Sequence, residues 1–371
     1  DSSLIEHLWA VIMALISYSL ILIDFIRGKI TKRDFIILFF LFSLLLLYAA
    51  SSFIYRMPPK YFSYLLVFIA ESIPAAYIGM RFVKSDSKDK INNLLPFFIV
   101  PVCLLIGTIG VQYAAIGERV NNDDSGLNYQ KVAYFMAFSY AYASYYVFYV
   151  KDKKNILSFL LRSLMILMMF FCAMVCLVSG GRGAFVFIIV VSLYLTYIYM
   201  RNSKKHRIRS ILIIVIVGII TIWLIDYFHV MESAGMARVM DRLTEDDKRM
   251  YLYDKAYNAF RYSPLLGNGI GSVWWTVGFY SHNMIMDLLS EGGIIGTSII
   301  LIIIFRSFVR LYRLTNKDEV FLFFILVMTG ALVRSMFSNY WVAAINLFLV
   351  CSMVYGMSNK RIKKIRKLKN K

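Results

Sequence analysis

Charge is scarce in this chain of 371 residues. Asp, Glu, Lys and Arg make up 17% of it, whereas soluble globular proteins carry about 25%. With 60% apolar residues and a mean hydropathy of +0.65, that shortage excludes an ordinary soluble domain and a charged disordered chain. Proline and glycine are few, six and 20, which excludes a collagenous or Pro-rich fibrous protein. The four cysteines, Cys103, Cys172, Cys176 and Cys351, lie in apolar runs without zinc or redox spacing. A disulfide framework and a thiolate metal site are therefore not expected. Internal repeats and low-complexity segments are absent as well. Acidic residues are outnumbered 22 to 41, for a net charge of +19, which would fit nucleic acid only if the basic residues formed a face beside a soluble core. They do not.

What is plentiful is long apolar sequence. A transmembrane helix needs roughly 20 mostly apolar residues to cross about 30 Å of hydrocarbon. About eleven runs meet this: Leu4–Ile26, Phe35–Tyr55, Tyr61–Met80, Leu94–Ile116, Val132–Val150, Ile156–Val178, Ala184–Met200, Ile211–His229, Asn283–Phe305, Val320–Phe337 and Tyr340–Met357. The expected fold is an all-α polytopic integral membrane protein, with residues 1–371 as a single transmembrane domain. The chain begins at Asp1 rather than Met, so upstream sequence with a twelfth helix is also expected.

The connections set the orientation. Alternate ones are basic: Arg27–Arg33, Arg81–Lys90, Lys151–Lys154, Arg201–Arg209, Arg306–Lys317 and the tail, residues 360–371. With Arg162 they hold 29 of the 41 basic residues, so the positive-inside rule places them in the cytoplasm. The expected location is the bacterial inner membrane, with the tail near anionic headgroups and the chemistry on the outer face.

Outward connections are short except for one of about fifty residues, 230–281. Loops beyond about 12–15 residues are usually functional or disordered. This one balances its charges and carries Tyr251, Tyr253, Tyr257, Phe260, Trp274 and Trp275, so a folded, partly helical cap is expected. Thr244 followed by three acids reads as an N-cap, with the helix running to about Tyr262 and stopping before Ser263-Pro264. Gly267, Gly269 and Gly271 then read as a flexible stretch leading to His282. No strand precedes these glycines, so they are not a dinucleotide loop.

Three outward groups can carry chemistry. Ser179-Gly-Gly-Arg182-Gly183 makes a tight turn into a span whose N-terminus faces outward. Free N–H groups, the helix dipole and a guanidinium suit a phosphate there; a snorkelling arginine is the alternative. Ser281-His282-Asn283 opens the next outward-facing helix. The dipole at that end favours neutral imidazole, a possible base, although taken alone an interfacial histidine bonded to its own turn is the commoner case. Arg238, Arg242, Arg249 and Arg261 form the third group, either on a ligand or paired with Asp241, Asp246 and Asp247. The pairs Asp123-Asp124 and Asp246-Asp247 are not read as metal sites. Glu71 and Arg334 stand within or beside apolar runs, where ionisable groups merit notice.

Taken in order, these residues resemble the bacterial O-antigen polymerase and O-antigen ligase superfamily. The similarity rests on Ser179-Gly-Gly-Arg182-Gly183-Ala184, on the long outer loop with Arg249, Tyr253 and Ser263-Pro264-Leu-Leu-Gly267-Asn-Gly269, on His282-Asn283, and on Glu291-Gly-Gly-Ile-Ile-Gly296. The resemblance implies a C-type membrane glycosyltransferase fold of about twelve spans, working without metal or cofactor. Its donor is an undecaprenyl-pyrophosphate-linked glycan, and its acceptor a second glycan chain. Arginines hold the pyrophosphate and an outer-loop histidine catalyses transfer. Carried over, these are Arg182 and Arg249, with Arg242, Arg261 and Asn283 as further substrate contacts, and His282 as the catalytic base. A chain-length regulator and a flippase are the implied partners, and nucleic acid is not one. The turn departs from the family in lacking a second hydroxyl residue near the arginine.

The leading expectation is a polymerase of lipid-linked repeat units for O-antigen or capsule. The alternative is a ligase, or a protein O-glycosylating enzyme, using the same donor. A lipid-linked oligosaccharide flippase is the reading from another class; it would favour internal repeats and midplane ionisable groups.

Overall fold

A computed structural model describes residues 2–56, 58, 63–82, 90–115, 128–150, 156–202, 247–278, 280–315 and 318–356. The expected span Ile211–His229, Arg238, Arg242, the Thr244 cap, Asp123-Asp124 and the tail 360–371 lie outside them. Among the described residues the chain is helical, without a strand. The helices are α1 (Ser2–Ile26), α2 (Lys32–Ile54), α3 (Ser63–Val67), α4 (Ile73–Phe82), α5 (Leu95–Ala115), α6 (Tyr129–Tyr149), α7 (Ile156–Val178) and α8 (Arg182–Asn202). After them come α9 (Asp247–Tyr262), α10 (Ser272–Val277), α11 (Met284–Thr315), α12 (Val320–Phe337) and α13 (Ile345–Gly356).

Six helical stretches among the described residues are long and apolar enough to cross a membrane, and three shorter apolar helices accompany them. The chain is a polytopic helical membrane protein. Two expected spans, Ile156–Val178 and Val320–Phe337, coincide with α7 and α12. The expected span Val132–Val150 forms α6 but falls outside the six because it is rich in tyrosine. Two of its ring hydroxyls bond inside the protein: Tyr142 donates to the Ile91 carbonyl at 2.7 Å, and Tyr140 meets Ser192 Oγ at 2.7 Å.

The contacts divide into two compact units, where a single domain over 1–371 was expected: residues 1–88 with 246–371, and residues 89–245. In the first, α1 ends at Gly28, whose φ of +62° lets Gly28 N–H and Lys29 N–H reach back to Phe25 and Asp24 carbonyls. Thr31 and Asp34 then cap α2 reciprocally, each side chain taking the other's backbone N–H. Between α3 and α4 a π-helical turn covers Phe68–Ser72. In that turn the i→i+5 partner of the Ile69 carbonyl is Pro74, which has no N–H to donate. Tyr18 supplies the missing donor, its hydroxyl bonding the Ile69 carbonyl at 2.9 Å.

In the second unit α7 and α8 meet through Ser179-Gly180-Gly181. Gly180 is left-handed, at φ +69°, and the Gly181 carbonyl accepts the Phe185 N–H at 3.0 Å, opening α8. A Cβ on Gly181 would lie 2.3 Å from that of Ala133, so only glycine lets α8 pack this close to α6.

A helix spliced to a loop, and the candidate active site

The segment before α11 is not the flexible connection expected from its glycines. It docks onto a break in α11. Gly293 sits at φ +59°, ψ −164°, a conformation nearly restricted to glycine, and the helix loses two i→i+4 bonds there. The loop replaces them. Ser290 and Glu291 carbonyls accept from Asn268 N–H at 2.9 Å and Gly269 N–H at 3.0 Å. Ile294 and Ile295 N–H groups donate to Pro264 and Leu265 carbonyls at 2.8 and 3.2 Å. Every backbone group freed at those four residues finds a partner, as burial requires. The close approach explains the glycines: a Cβ on Gly267 would stand 2.3 Å from the Glu291 carbonyl.

The Glu291 side chain locks the same joint. It is fully buried. Its Oε1 accepts from Gly271 N–H at 2.8 Å and Tyr340 hydroxyl at 2.6 Å, and its Oε2 from Trp341 Nε1 at 2.8 Å. One carboxylate thus ties α11, the loop and the turn before α13 together. One turn earlier Asp287, also fully buried, accepts the Ser281 N–H at 2.9 Å.

These contacts place His282. Ser281 is held by Asp287, and Asn283 caps α11, its Oδ1 accepting Ile285 and Met286 N–H groups at 3.0 and 3.3 Å. His282 between them takes a left-handed φ of +60°, which costs a non-glycine residue about 1–2 kcal/mol. Its ring lies 4.3 Å from that of Tyr280, and Tyr280 continues to Trp274 at 5.5 Å and Tyr340 at 6.0 Å. Burial, and then the Arg249 guanidinium, lower the imidazole pKa to about 4. The neutral form expected from the helix dipole is present at pH 7, but desolvation is its main cause. An NMR titration assigned by His282→Ala should give a midpoint near pH 4 for His282. In Arg249→Gln it should rise, yet stay below the ordinary histidine value, because burial is the larger cause and remains. An unmoved midpoint would remove Arg249 from the imidazole's surroundings.

The other expected site residues fall as follows. Arg249 is exposed on the first turn of α9, whose span of Asp247–Tyr262 matches the expected stop before Ser263-Pro264. Arg261 is exposed in the last turn of the same helix, about 18 Å further along its axis at 1.5 Å per residue. Asn283 spends its side chain on the cap. Arg182 opens α8, half-buried, in the second unit. Among the described residues no group of three His, Cys, Asp or Glu side chains is placed to hold a metal.

Reading by residue pattern overlooked Asp287, Tyr280, Tyr340 and Trp341. Glu291 entered only as part of a resemblance, without a role. A carboxylate seven residues inside an apolar helix was the available signal; its aromatic donors, some fifty residues away, left none.

The described helices define a multi-pass membrane protein, with a half-buried His282 within electrostatic reach of Arg249. Comparison with known proteins narrows the class. Residues 167–301 match the family model described as O-Antigen ligase, which bears out the superfamily resemblance. That stretch includes Arg182, Arg249, His282 and the spliced helix. The chain is also similar to the ComP-specific O-oligosaccharyltransferase of Acinetobacter baylyi, at 26% identity over 169 residues. This similarity covers 40% of the chain and 30% of that protein.

Proposed function

We propose that this protein transfers a lipid-pyrophosphate-linked glycan to an acceptor hydroxyl, as an O-antigen ligase or O-oligosaccharyltransferase does. The observation that carries the reading is His282, half-buried, neutral and beside Arg249, within the segment matched to the ligase family. An acceptor hydroxyl must lose its proton as it attacks the anomeric carbon, and a neutral imidazole accepts one. The leaving pyrophosphate gains charge as the glycosidic bond breaks. Arg249 is the group we assign to it, since a planar guanidinium binds phosphate oxygens in pairs; Arg182, at the start of α8, is proposed separately as a phosphate contact. Attack opposite the leaving group inverts the anomeric centre. The exchange needs neither metal nor cofactor, and its place is the outer face of the inner membrane.

The polymerase reading that led from sequence gives way to its alternative, because the matching family model is described as O-Antigen ligase and the similar protein as an O-oligosaccharyltransferase. The break in α11 does not favour the flippase reading. Transporters line their sites with backbone groups of broken helices, but here the break is closed by the loop and Glu291 is occupied by three donors. The test uses the full chain in membranes with an undecaprenyl-pyrophosphate-linked glycan. It is offered in turn a lipid A core, an acceptor protein and further repeat units. Glycan on the core or the protein, lost in His282→Ala, is the expected result. Growth of repeat units alone would restore the polymerase, and donor movement across the bilayer without transfer would sink both.

A further inference from the structure

The first unit holds a cavity of about 290 Å³ that glycan transfer does not use. Its walls are apolar side chains of four helices, among them Phe40 and Leu44 of α2, Ala76 of α4, Ile300 of α11 and Leu347 of α13. Arg306 stands in its lining, with Tyr355. Tyr355 in turn lies within electrostatic reach of Arg306 and Arg310. Arg306 is exposed, and among the described residues it makes no hydrogen bond or ion pair.

Charge identifies the leaflet. Beyond its interruption at Gly293, α11 advances about 20 Å to Arg306 at 1.5 Å per residue. Arg306 opens the basic segment Arg306–Lys317, which the positive-inside rule sets on the side opposite the start of α11. His282 and Arg306 therefore sit at opposite headgroup levels, and the cavity runs from Arg306 back into the apolar layer. The basic ends of α1 and α4 meet in the same unit, where Arg81 pairs with Asp24 at 2.9 Å.

We propose that this cavity binds an anionic diacyl phospholipid from the leaflet on the basic side, one acyl chain among the four helices and the phosphate on Arg306 and Arg310. Hydrocarbon alone would fill the cavity but leave the guanidinium at its mouth unanswered. A phosphate answers it, with the planar fork meeting two oxygens. Basic pockets between transmembrane helices on the cytoplasmic side recognise anionic headgroups in this way. The glycan donor is not the occupant, because its pyrophosphate belongs at the His282 level. The exclusion of the glycan donor rests on the proposed transfer activity; the cavity and its basic mouth do not.

Native mass spectrometry of the delipidated full chain, supplied with phosphatidylglycerol or phosphatidylcholine of matched acyl chains, tests it. Wild type should retain one phosphatidylglycerol in preference to phosphatidylcholine. Arg306→Gln, an exposed change, should lower that preference roughly fivefold, the equivalent of about 1 kcal/mol for one basic residue at the surface. Ile300→Trp, which fills the cavity, should reduce retention of both lipids. Equal retention of the two lipids by wild type, or an Arg306→Gln profile like wild type, would overturn the site. Displacement of phosphatidylglycerol by equimolar undecaprenyl phosphate would overturn the choice of occupant.

Discussion

His282→Ala is expected to lower glycan transfer by about 10²–10⁴ at equal protein level, the usual contribution of a positioned base. Donor binding should change little, because the imidazole acts on the acceptor's proton. Arg249→Lys should approach the damage of Arg249→Ala, roughly 10²–10³ in rate, and Arg182→Lys should follow it. Lysine keeps the charge but lacks the fork. Product on gels from a deletion strain complemented with each variant, with levels checked by immunoblot, measures all of these. Normal transfer by both lysine variants would reduce the arginines to interfacial residues. Normal transfer by His282→Ala would end the base assignment.

Glu291→Ala should act on the fold. It orphans two buried donors, Tyr340 hydroxyl and Trp341 Nε1, and leaves Gly271 N–H only the longer bond to the Tyr340 hydroxyl at 3.2 Å. Each unsatisfied buried group costs about 1–3 kcal/mol. Together they consume much of a stability that is typically about 5–15 kcal/mol. The expected outcome is loss of monodisperse protein in detergent, or a large fall in melting temperature. Glu291→Gln keeps Oε1 for Gly271 and Tyr340 but turns an amide donor towards Trp341, so its loss should be smaller. If alanine melts like wild type, water must replace the carboxylate and the joint is weaker than its bonds imply.

Apolarity was legible in the sequence, and with it most helix positions. Ile156–Val178 and Val320–Phe337 were readable to the residue because charge, serine or loop polarity bounds them. So was the end of α9, since Ser263-Pro264 cannot continue a helix. The break in α11 was not legible, because Gly292-Gly293 lies inside an apolar run and an intact helix fits that pattern equally well. Its cause is elsewhere, in residues 264–269, whose backbone groups take over the missing bonds. The glycines there misread as slack for the same reason: tight packing and flexibility both call for residues without a side chain. Of the site, His282 was visible because histidine is rare in this chain and its position opens a helix. The carboxylates beneath it acquire meaning only when Ser281, Tyr340 and Trp341 are brought to them.

The exchange of bonds between residues 264–269 and the interrupted helix also sets where this protein can be cut and rejoined. An outer loop grafted from a relative brings new N–H and C=O positions to a gap shaped for the old ones. A seam placed between Gly271 and Met284 would separate each half from its match. Chimeras meant to change the acceptor should therefore carry everything from Ser263 through Gly296 as one cassette, with seams in α9 and beyond the interruption in α11. Cassettes divided inside that interval should be recovered poorly even where both parents express well.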